Sequence, residues 1–340
     1  MRAYRLFTLL LALLLCAAPG LAEATGAERG FFAMDTYMTI TAYGDEAQSA
    51  LEAAEERIHA LEGLWSVTDA ESEIYALNHA GGAAVSISAD TEAILRFALE
   101  MAERTQGRFD PTIYPLLTAW GFTTGSHQVP APEEIAALLP LVGYGQIALS
   151  GGEASLPEGV EVDLGAIGKG YAGDEAVAVL RQYGVSCALL NLGGGVQVIG
   201  ARPDGNPWRV GVLMPFTQEN FCVLEVEDCA VITSGDYQRY FTAEDGTLYG
   251  HILDPDTGYP AQSGLTSVTI VGAEGKVCDA LSTALFVMGL DGAIEHWRAH
   301  DDFEMLLLTD ENGVYITEGL EDAFSLADGY ADMEVTVIRR

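Results

Sequence analysis

Basic residues are scarce in this sequence of 340 residues. Only 16 lysines and arginines stand against 50 aspartates and glutamates, so the formal net charge at pH 7 is −34. A surface this acidic repels the phosphate backbone of DNA and RNA, which argues against nucleic acid as a partner. Any polyphosphate substrate must therefore be neutralised locally, either by a metal ion or by one well-placed lysine.

Cysteine is also rare, with five residues in the chain. Their spacing contains no C-x-x-C pair and no zinc-binding pattern. An exported protein can form disulfides, and Cys222 and Cys229 lie close enough in sequence to pair. We favour the alternative in which these cysteines are buried free thiols.

The N-terminus has the features of an export signal. Arg2 and Arg5 precede an apolar segment over residues 6–18 that is short for a membrane span. Residues 22–24, Ala-Glu-Ala, fit a small-x-small cleavage site. We therefore predict a signal peptide over residues 1–24 and an exported, extracytoplasmic protein.

Two alternatives for the N-terminus stay open. One is an uncleaved anchor helix, and the other is lipidation at Cys16, which leucine rather than a small residue precedes. Both would give membrane association through the N-terminus. In every case the rest of the chain, residues 25–340, is predicted to form the functional domain.

Regular β-α-β alternation is absent, which argues against a Rossmann fold, and no internal repeat occurs. Apolar residues recur at helical spacing over 48–65 and 91–105. Residues 32–43 alternate in the manner of one strand, and short strand-like segments dominate after residue 185. We predict an α+β fold of mixed, mainly antiparallel sheets flanked by helices, in which two intimate lobes form one catalytic domain.

Further helices are predicted from residues that typically begin or end a helix. A looser stretch over 121–161 is expected to cross the surface as a connector that includes a short helix. Another helix is expected to follow the glycine-rich segment 165–170 and to stop at Gly184. A buried helix over 277–288 is expected to end at Gly289.

The segment Asp163-Leu-Gly-Ala-Ile-Gly-Lys169-Gly joins glycines to a lysine at the start of a predicted helix. Glycines let a ligand approach the backbone, and the free N–H groups of a helix N-terminus favour phosphate. Lys169 adds a point charge against that phosphate, and Asp163 can accept hydrogen bonds from a ligand. The spacing matches neither the P-loop nor the dinucleotide fingerprint, and tight helix–sheet packing is the alternative explanation of the glycines.

Two loops carry weaker signals. Asn191-Leu-Gly-Gly-Gly195 indicates a sharp turn or a close backbone approach, and a plain loop explains it equally well. His251 ends a predicted strand beside an Asp-Pro turn, in the same region as Thr233-Ser-Gly-Asp-Tyr237. A lone histidine is more often structural, but its position on a loop near hydroxyls and carboxylates makes His251 a candidate catalytic residue.

Asp279 and Thr283 lie four residues apart on a predicted helix, so their side chains share one face. Both are hard oxygen donors, which Mg2+ accepts together with substrate phosphate and water. An aspartate near a helix start can instead cap the helix. Spacing alone favours the cap.

Taken in order, these segments resemble the ApbE family of FAD:protein FMN transferases. The resemblance runs from about residue 32 to residue 286, and the ordered set is far more specific than any one block. The blocks are Met34-Asp-Thr36, Ser72-Glu-Ile with Asn78, Gly107-Arg-Phe-Asp110-Pro-Thr112, Trp120-Gly-Phe122, Asp163 to Gly170, Asn191-Leu-Gly-Gly, Thr233 to Tyr237, His251-Ile-Leu-Asp-Pro255 and Asp279 to Phe286.

The resemblance implies a set of site residues. Mg2+ would be held by Asp279, Thr283 and the backbone carbonyl of Ala166, with Ser282 close by. The FAD-binding residues would be Met34, Thr68, Arg108, Phe109, Asp110, Asp163, Lys169 and the backbone at Leu253. Family members often carry a tyrosine where this chain has Thr68, so a stacking contact is missing unless the nearby Trp65 supplies it.

The resemblance also implies the reaction, which is Mg2+-dependent transfer of FMN from FAD to a Thr or Ser hydroxyl with release of AMP. His251 is the candidate base. The acceptor would be a separate flavoprotein, such as a subunit of sodium-pumping NADH:quinone oxidoreductase, of the related Rnf complex, or another FMN-binding domain. Ser263-Gly-Leu-Thr266 faintly resembles an acceptor motif, but we interpret it as a turn that leads into a strand.

Two other functions stay open at this point. One is hydrolysis of FAD to FMN and AMP, in which water replaces the acceptor hydroxyl. The other is a non-catalytic flavin-binding lipoprotein, against which the presence of both Asp279 and Thr283 argues.

Overall fold

A computed structural model describes residues 26–340 of the chain. The predicted signal peptide over residues 1–24, its cleavage site and Cys16 lie outside these residues. The α-helices are α1 (Ala47–Trp65), α2 (Glu73–Asn78), α3 (Ala89–Arg104), α4 (Tyr114–Trp120), α5 (Pro132–Leu138), α6 (Gly168–Gln182) and α7 (Gly275–Ala299). The strands are β1 (Gly26–Ala33), β2 (Thr36–Tyr43), β3 (Val85–Ser86), β4 (Ala148–Ser150), β5 (Glu153–Ser155), β6 (Ala188–Asn191), β7 (Gly195–Ile199), β8 (Trp208–Leu213), β9 (Asn220–Val226), β10 (Ala230–Gly235), β11 (Tyr240–Thr242), β12 (Leu248–Gly250), β13 (Leu265–Gly272), β14 (Phe303–Thr309), β15 (Val314–Thr317), β16 (Phe324–Leu326) and β17 (Val335–Ile338).

A nine-stranded sheet with the order β1-β2-β6-β7-β10-β13-β14-β15-β17 organises the fold. Every neighbouring pair in it is antiparallel except β15 and β17. Two three-stranded sheets, β16-β9-β8 and β3-β5-β4, and the hairpin β11-β12 complete the strands. The predicted α+β fold with mainly antiparallel sheets is confirmed.

The main hydrophobic core lies between the large sheet and helices α1, α3, α6 and α7. A second cluster contains the small sheet β16-β9-β8 and residues of β10, β14 and β15. A third, small cluster around Trp120 joins α4 and α5 to Leu253. Leu253 follows His251 by two residues, so this third cluster helps to fix the loop that carries the candidate base.

The predicted single strand over 32–43 is wrong, because the structure has a hairpin there. β1 and β2 pair antiparallel around a turn in which Met34 and Asp35 adopt left-handed φ angles of 51° and 59°. Such two-residue turns usually carry Asn-Gly or Asp-Gly. Since neither dipeptide is present, the alternation of the two strands resembles one continuous strand.

Helix α7 is buried as predicted, and its first helical segment ends at Gly289, also as predicted. The backbone leaves the helical region there, with φ 73° and ψ −179°, and then resumes a helix up to Ala299. α7 is long and apolar enough to cross a membrane by length and composition alone, a test that core helices also meet. Here it packs against β10 and β13.

The four cysteines of residues 26–340 are all free. Cys222 and Cys278 are fully buried. Burial raises the pKa of the Cys222 and Cys229 thiols to about 12. The interpretation of buried free thiols thus holds for Cys222 and Cys278, whereas Cys187 and Cys229 are free but half-buried.

Candidate functional site

The glycine-rich segment forms the approach to α6. Asp163 Oδ1 accepts the Gly165 N–H at 2.8 Å, and Lys169 Nζ donates to the Gly165 carbonyl at 3.2 Å. The Ala166 carbonyl receives no hydrogen bond from any residue between 26 and 340. A backbone oxygen is therefore free for a ligand beside the start of a helix, whose dipole favours anions.

Asp279 lies in α7 with only 5% of its surface exposed. Its Oδ2 accepts the Gly170 N–H at 2.8 Å, while Oδ1 receives no hydrogen bond within the described part of the chain. The alternative in which Asp279 caps the start of its own helix is therefore wrong. Asp279 caps the first turn of α6 rather than the start of its own helix, where Glu274 is the N-cap residue.

Thr283 and Ser282 are held differently. Ser282 is fully buried, donates to the Asp279 carbonyl at 2.8 Å and lies 2.7 Å from Ser234 Oγ. Thr283 is half-buried, and its Oγ1 lies 3.4 Å from Ser234 Oγ. The Thr283 hydroxyl is thus the more available of the two for a ligand, and Ser234 of β10 orients both.

These donors fit Mg2+ by their chemistry. Asp279 Oδ1, the Thr283 hydroxyl and the Ala166 carbonyl are all hard oxygens, and Mg2+ commonly binds to one or two carboxylates together with substrate phosphates and water. Residues 26–340 contain no group of three or more His, Cys, Asp or Glu side chains that could hold a metal ion. A metal at this site would therefore complete its coordination with substrate and water.

His251 follows β12 directly, and its orientation is set by Arg239. Its backbone N–H donates to the Arg239 carbonyl at 3.0 Å, and Nδ1 lies 3.2 Å from the same oxygen. A carbonyl can only accept, so the hydrogen-bond pattern assigns the proton to Nδ1 and leaves Nε2 as a free acceptor. Burial, helped by the positive charges of Arg239 and Lys169, lowers the pKa of His251 to about 4. The imidazole is therefore neutral at pH 7.

Two cations without carboxylate partners lie near His251. The chain has only two lysines, and Lys276 pairs with Glu274 at 2.6 Å. Among residues 26–340, neither Lys169 nor Arg239 forms an ion pair. Both also act on Asp163, where they lower a pKa that burial raises. In so acidic a protein, two unpaired cations near one base are typical of a phosphate-binding site.

The loop over 107–112 supplies one exposed side chain to the site. Arg108 Nη1 lies 2.6 Å from Asp256 and 3.4 Å from Asp254, next to the His251 loop. Phe109 is buried. Asp110 is also buried, and its carboxylate accepts the N–H and hydroxyl of Thr112 and the N–H of Tyr144.

Of the three predicted residues in this loop, only Arg108 therefore presents its side chain to a ligand. Phe109 and Asp110 shape the loop that holds it.

The remaining predicted residues lie around α1 and the third core cluster. The Met34 N–H donates to Glu62 of α1 at 2.6 Å. Thr68 is exposed just beyond α1, with its hydroxyl 3.3 Å from Ser66 Oγ. Leu253 is buried, so only its backbone is available, as the resemblance implies.

Trp65 does not replace the stacking ring that is missing at Thr68. It is 6% exposed and packs edge-on against Tyr171 at 5.4 Å between ring centroids. Its ring thus belongs to the core rather than to the surface next to Thr68.

Hydrogen bonds link the glycine-rich segment, which contains Asp163, Ala166 and Lys169, to Asp279 of α7, and Ser234 links to Thr283. The charge of Lys169 also acts on His251. Six of the predicted residues thus lie in one region. Arg239, Ser234 and Gly170 also belong to it. Ser234 and Gly170 stand in predicted blocks without a predicted individual role, and Arg239 was not predicted. Ser234 and Arg239 stand in or beside the block Thr233 to Tyr237. The scarcity of basic residues could have indicated Arg239, because each of the few cations near a predicted block is a candidate ligand for phosphate.

Comparison with known proteins gives consistent matches. The model of the ApbE family matches residues 34–307. The chain is 32% identical over 282 residues to the FAD:protein FMN transferase of Klebsiella pneumoniae, covering 81% of this chain and 87% of that protein. It is 30% identical over 332 residues to the FAD:protein FMN transferase of Treponema pallidum, covering 91% of each. The crystal structure of the ApbE protein from Thermotoga maritima is 32% identical, with a TM-score of 0.83 over 88% of this chain and 99% of that one.

Proposed function

Because this chain belongs to the ApbE family and is an FAD:protein FMN transferase, we propose that it attaches FMN through a phosphoester bond to a Thr or Ser hydroxyl of a separate flavoprotein and releases AMP. The observation that carries this proposal is the neutral His251 with a free Nε2 beside two unpaired cations. A base and a phosphate site in one place are what phosphoryl transfer to a hydroxyl requires.

The bonds of the proposed step balance without a further reactant. The acceptor oxygen forms a bond to the FMN-side phosphorus, while the bond from that phosphorus to the bridging oxygen breaks. AMP leaves with the bridging oxygen, and the hydroxyl proton passes to His251 Nε2. Lys169 and Arg239 stabilise the charge on the phosphoryl oxygens.

We also propose that Asp279, Thr283 and the Ala166 carbonyl hold Mg2+. When bound, Mg2+ supplies Lewis-acid stabilisation of the pyrophosphate. Gly170 fixes the Asp279 carboxylate by donating to one oxygen, which leaves the other directed elsewhere. Ser234 restrains the Thr283 hydroxyl on the same side of α7.

FAD binding is proposed to use the remaining side chains around this centre. Asp163 accepts hydrogen bonds from the ligand, and Met34 and the backbone at Leu253 lie against it. Arg108 binds another part of the dinucleotide, held in place by Asp254 and Asp256. Thr68 leaves an open edge instead of a stacked ring.

Export is proposed from the N-terminal sequence alone. The enzyme would act outside the cytoplasm, on an acceptor such as a subunit of sodium-pumping NADH:quinone oxidoreductase or of the Rnf complex. Expression of the full chain and of a chain lacking residues 1–24, followed by cell fractionation, tests this. An unchanged distribution of the two would contradict export.

Mass spectrometry of candidate acceptors tests the transfer itself. The enzyme is mixed with FAD, Mg2+ and an acceptor protein, and the acceptor should gain the mass of an FMN phosphoester at one Thr or Ser. Changing that residue to Ala is the matched control. Rapid AMP release without any acceptor would favour hydrolysis, and the absence of a mass gain on every cognate acceptor would remove the transferase proposal.

A further inference from the structure

Helices α6 and α7 begin side by side, and neither has a side-chain cap from its own N-cap residue. Each is capped by a carboxylate of the other. Asp279 of α7 accepts the Gly170 N–H of α6 at 2.8 Å. Asp174 of α6 accepts the N–H groups of Gly275 and Lys276 of α7 at 2.7 and 3.0 Å. The first turns of the two helices are thus joined by a reciprocal pair of caps.

The two helices touch backbone to backbone at this point. A Cβ atom added to Gly170 would lie 2.3 Å from the Gly275 carbonyl oxygen and 2.7 Å from Asp279 Cβ. The buried Gln197 of β7 donates to the Gly170 carbonyl at 3.0 Å and closes the contact from the sheet side. A shift of the first turn of α7 would therefore be transmitted directly to the bond between Asp279 and Gly170.

The burial of the Asp174 carboxyl at this position is energetically unfavourable. Burial raises the pKa of its carboxyl to about 6, because the two backbone N–H groups only partly offset the loss of hydration. The neighbouring Lys276 ammonium pairs with Glu274 instead. Within residues 26–340, the hydrogen bonds that Asp174 accepts both come from the start of α7. Its contacts thus serve the placement of that helix.

We propose that Asp174 is a positioning residue for Asp279. By fixing the first turn of α7 on α6, Asp174 sets the direction of the Asp279 carboxylate, and through it the affinity of the site for a divalent metal. The effect on metal affinity rests on the proposed function, whereas the positioning of Asp279 does not. Residues that orient a metal ligand typically change metal affinity by about 10- to 100-fold when they are altered.

The variants for the test are Asp174→Asn, which keeps the shape of the side chain, and Asp174→Ala, which removes it. Glu175→Gln is the matched control, because Glu175 is the next residue of α6 and pairs with Arg57 at 2.7 Å, away from α7. Hydrogen exchange followed by mass spectrometry reports on residues 168–172 and 275–279. Mn2+ binding to the full flavin-free chain, measured from the electron paramagnetic resonance signal of free Mn2+, reports on metal affinity.

Asp174→Asn is expected to speed amide exchange in both segments and to weaken Mn2+ binding at least about 10-fold, while Glu175→Gln changes neither. If Asp174→Ala does not fold, the Asn variant decides, with circular dichroism to show that it is folded. Unchanged exchange at residues 168–172 in a folded Asn variant overturns the positioning role, whatever the metal does. Faster exchange there in a protein that binds no Mn2+ even as wild type would support the positioning role and instead refute the proposed metal.

Discussion

On one side of the site, which we call the metal side, Asp279 is 5% exposed and is held by residues far away in sequence. On the other side, the base side, His251 is held by the carbonyl of Arg239, twelve positions before it, across the exposed hairpin β11-β12. The metal side is part of the main core, and the base side is a rim that packs on the small third cluster. Changes on the metal side should therefore alter stability and activity together, and changes on the base side should alter activity alone.

The largest effect is expected for Asp279→Ala. The loss of the only carboxylate of the proposed metal site should reduce FMN transfer by about 1,000-fold, which corresponds to about 4 kcal/mol. The Gly170 N–H also loses its acceptor, which should lower the free energy of unfolding by about 1–3 kcal/mol. Transfer rates from mass spectrometry and urea unfolding measure the two effects. The control is Asp291→Ala, at an exposed position of α7. Undiminished transfer by the Asp279→Ala protein would show that the metal side takes no part in the reaction.

His251→Ala is the corresponding change on the base side. Loss of a general base should slow transfer by about 100-fold or more, while the melting temperature stays close to that of the wild type. The control is His300→Ala, beyond the end of α7. A normal rate at saturating FAD and acceptor would show that another group removes the proton. A large drop in melting temperature would show that the base side is not a rim separate from the main core.

The two sides also differ in how far the sequence predicts them. The spacing of Asp279 and Thr283 placed both on one helical face, and the strand before His251 placed it at the start of a loop. No local pattern could show that Asp279 contacts Gly170, which is 109 residues away, or that Asp174 holds α7. The β1-β2 turn was missed for a local reason, since Met34 is unusual in a left-handed conformation and no glycine accompanies Asp35.

Arg239→Gln probes the electrostatics of the base side. The Arg239 charge lowers the pKa of His251, so its removal should raise that pKa from about 4, which NMR titration of the imidazole can follow. Transfer should slow about 10-fold, because one charged contact to phosphate is lost. Arg209→Gln, whose guanidinium pairs with Glu225 in the small sheet, is the control. If the His251 pKa does not move, Arg239 does not face it in solution.

The sign of the pH dependence follows from the same shift. His251 has a lower pKa in the folded protein than the usual value of about 6.5, so the unfolded chain binds the proton more tightly. The stability that its neutral form contributes is fully present above about pH 6.5 and is lost as the pH falls toward 4. Arg239→Gln should raise the pKa of His251 in the folded protein. It should therefore raise the lower limit of the pH range over which this stability is lost, and so narrow that range.

The smallest effects are expected for the same substitution, Gly to Ala, made in two helices, of which only one belongs to the metal side. Gly63→Ala in α1 adds a methyl group that has no neighbouring atom within 4 Å. Because alanine has a higher helix propensity than glycine, this change should raise the free energy of unfolding by about 0.5–1 kcal/mol. Gly170→Ala adds the same group 2.3 Å from the Gly275 carbonyl and should destabilise the protein by about 1–3 kcal/mol. Urea unfolding of both variants measures the difference. Equal effects would mean that α6 and α7 are not in backbone contact. The metal side would then be no more closely packed than the base side.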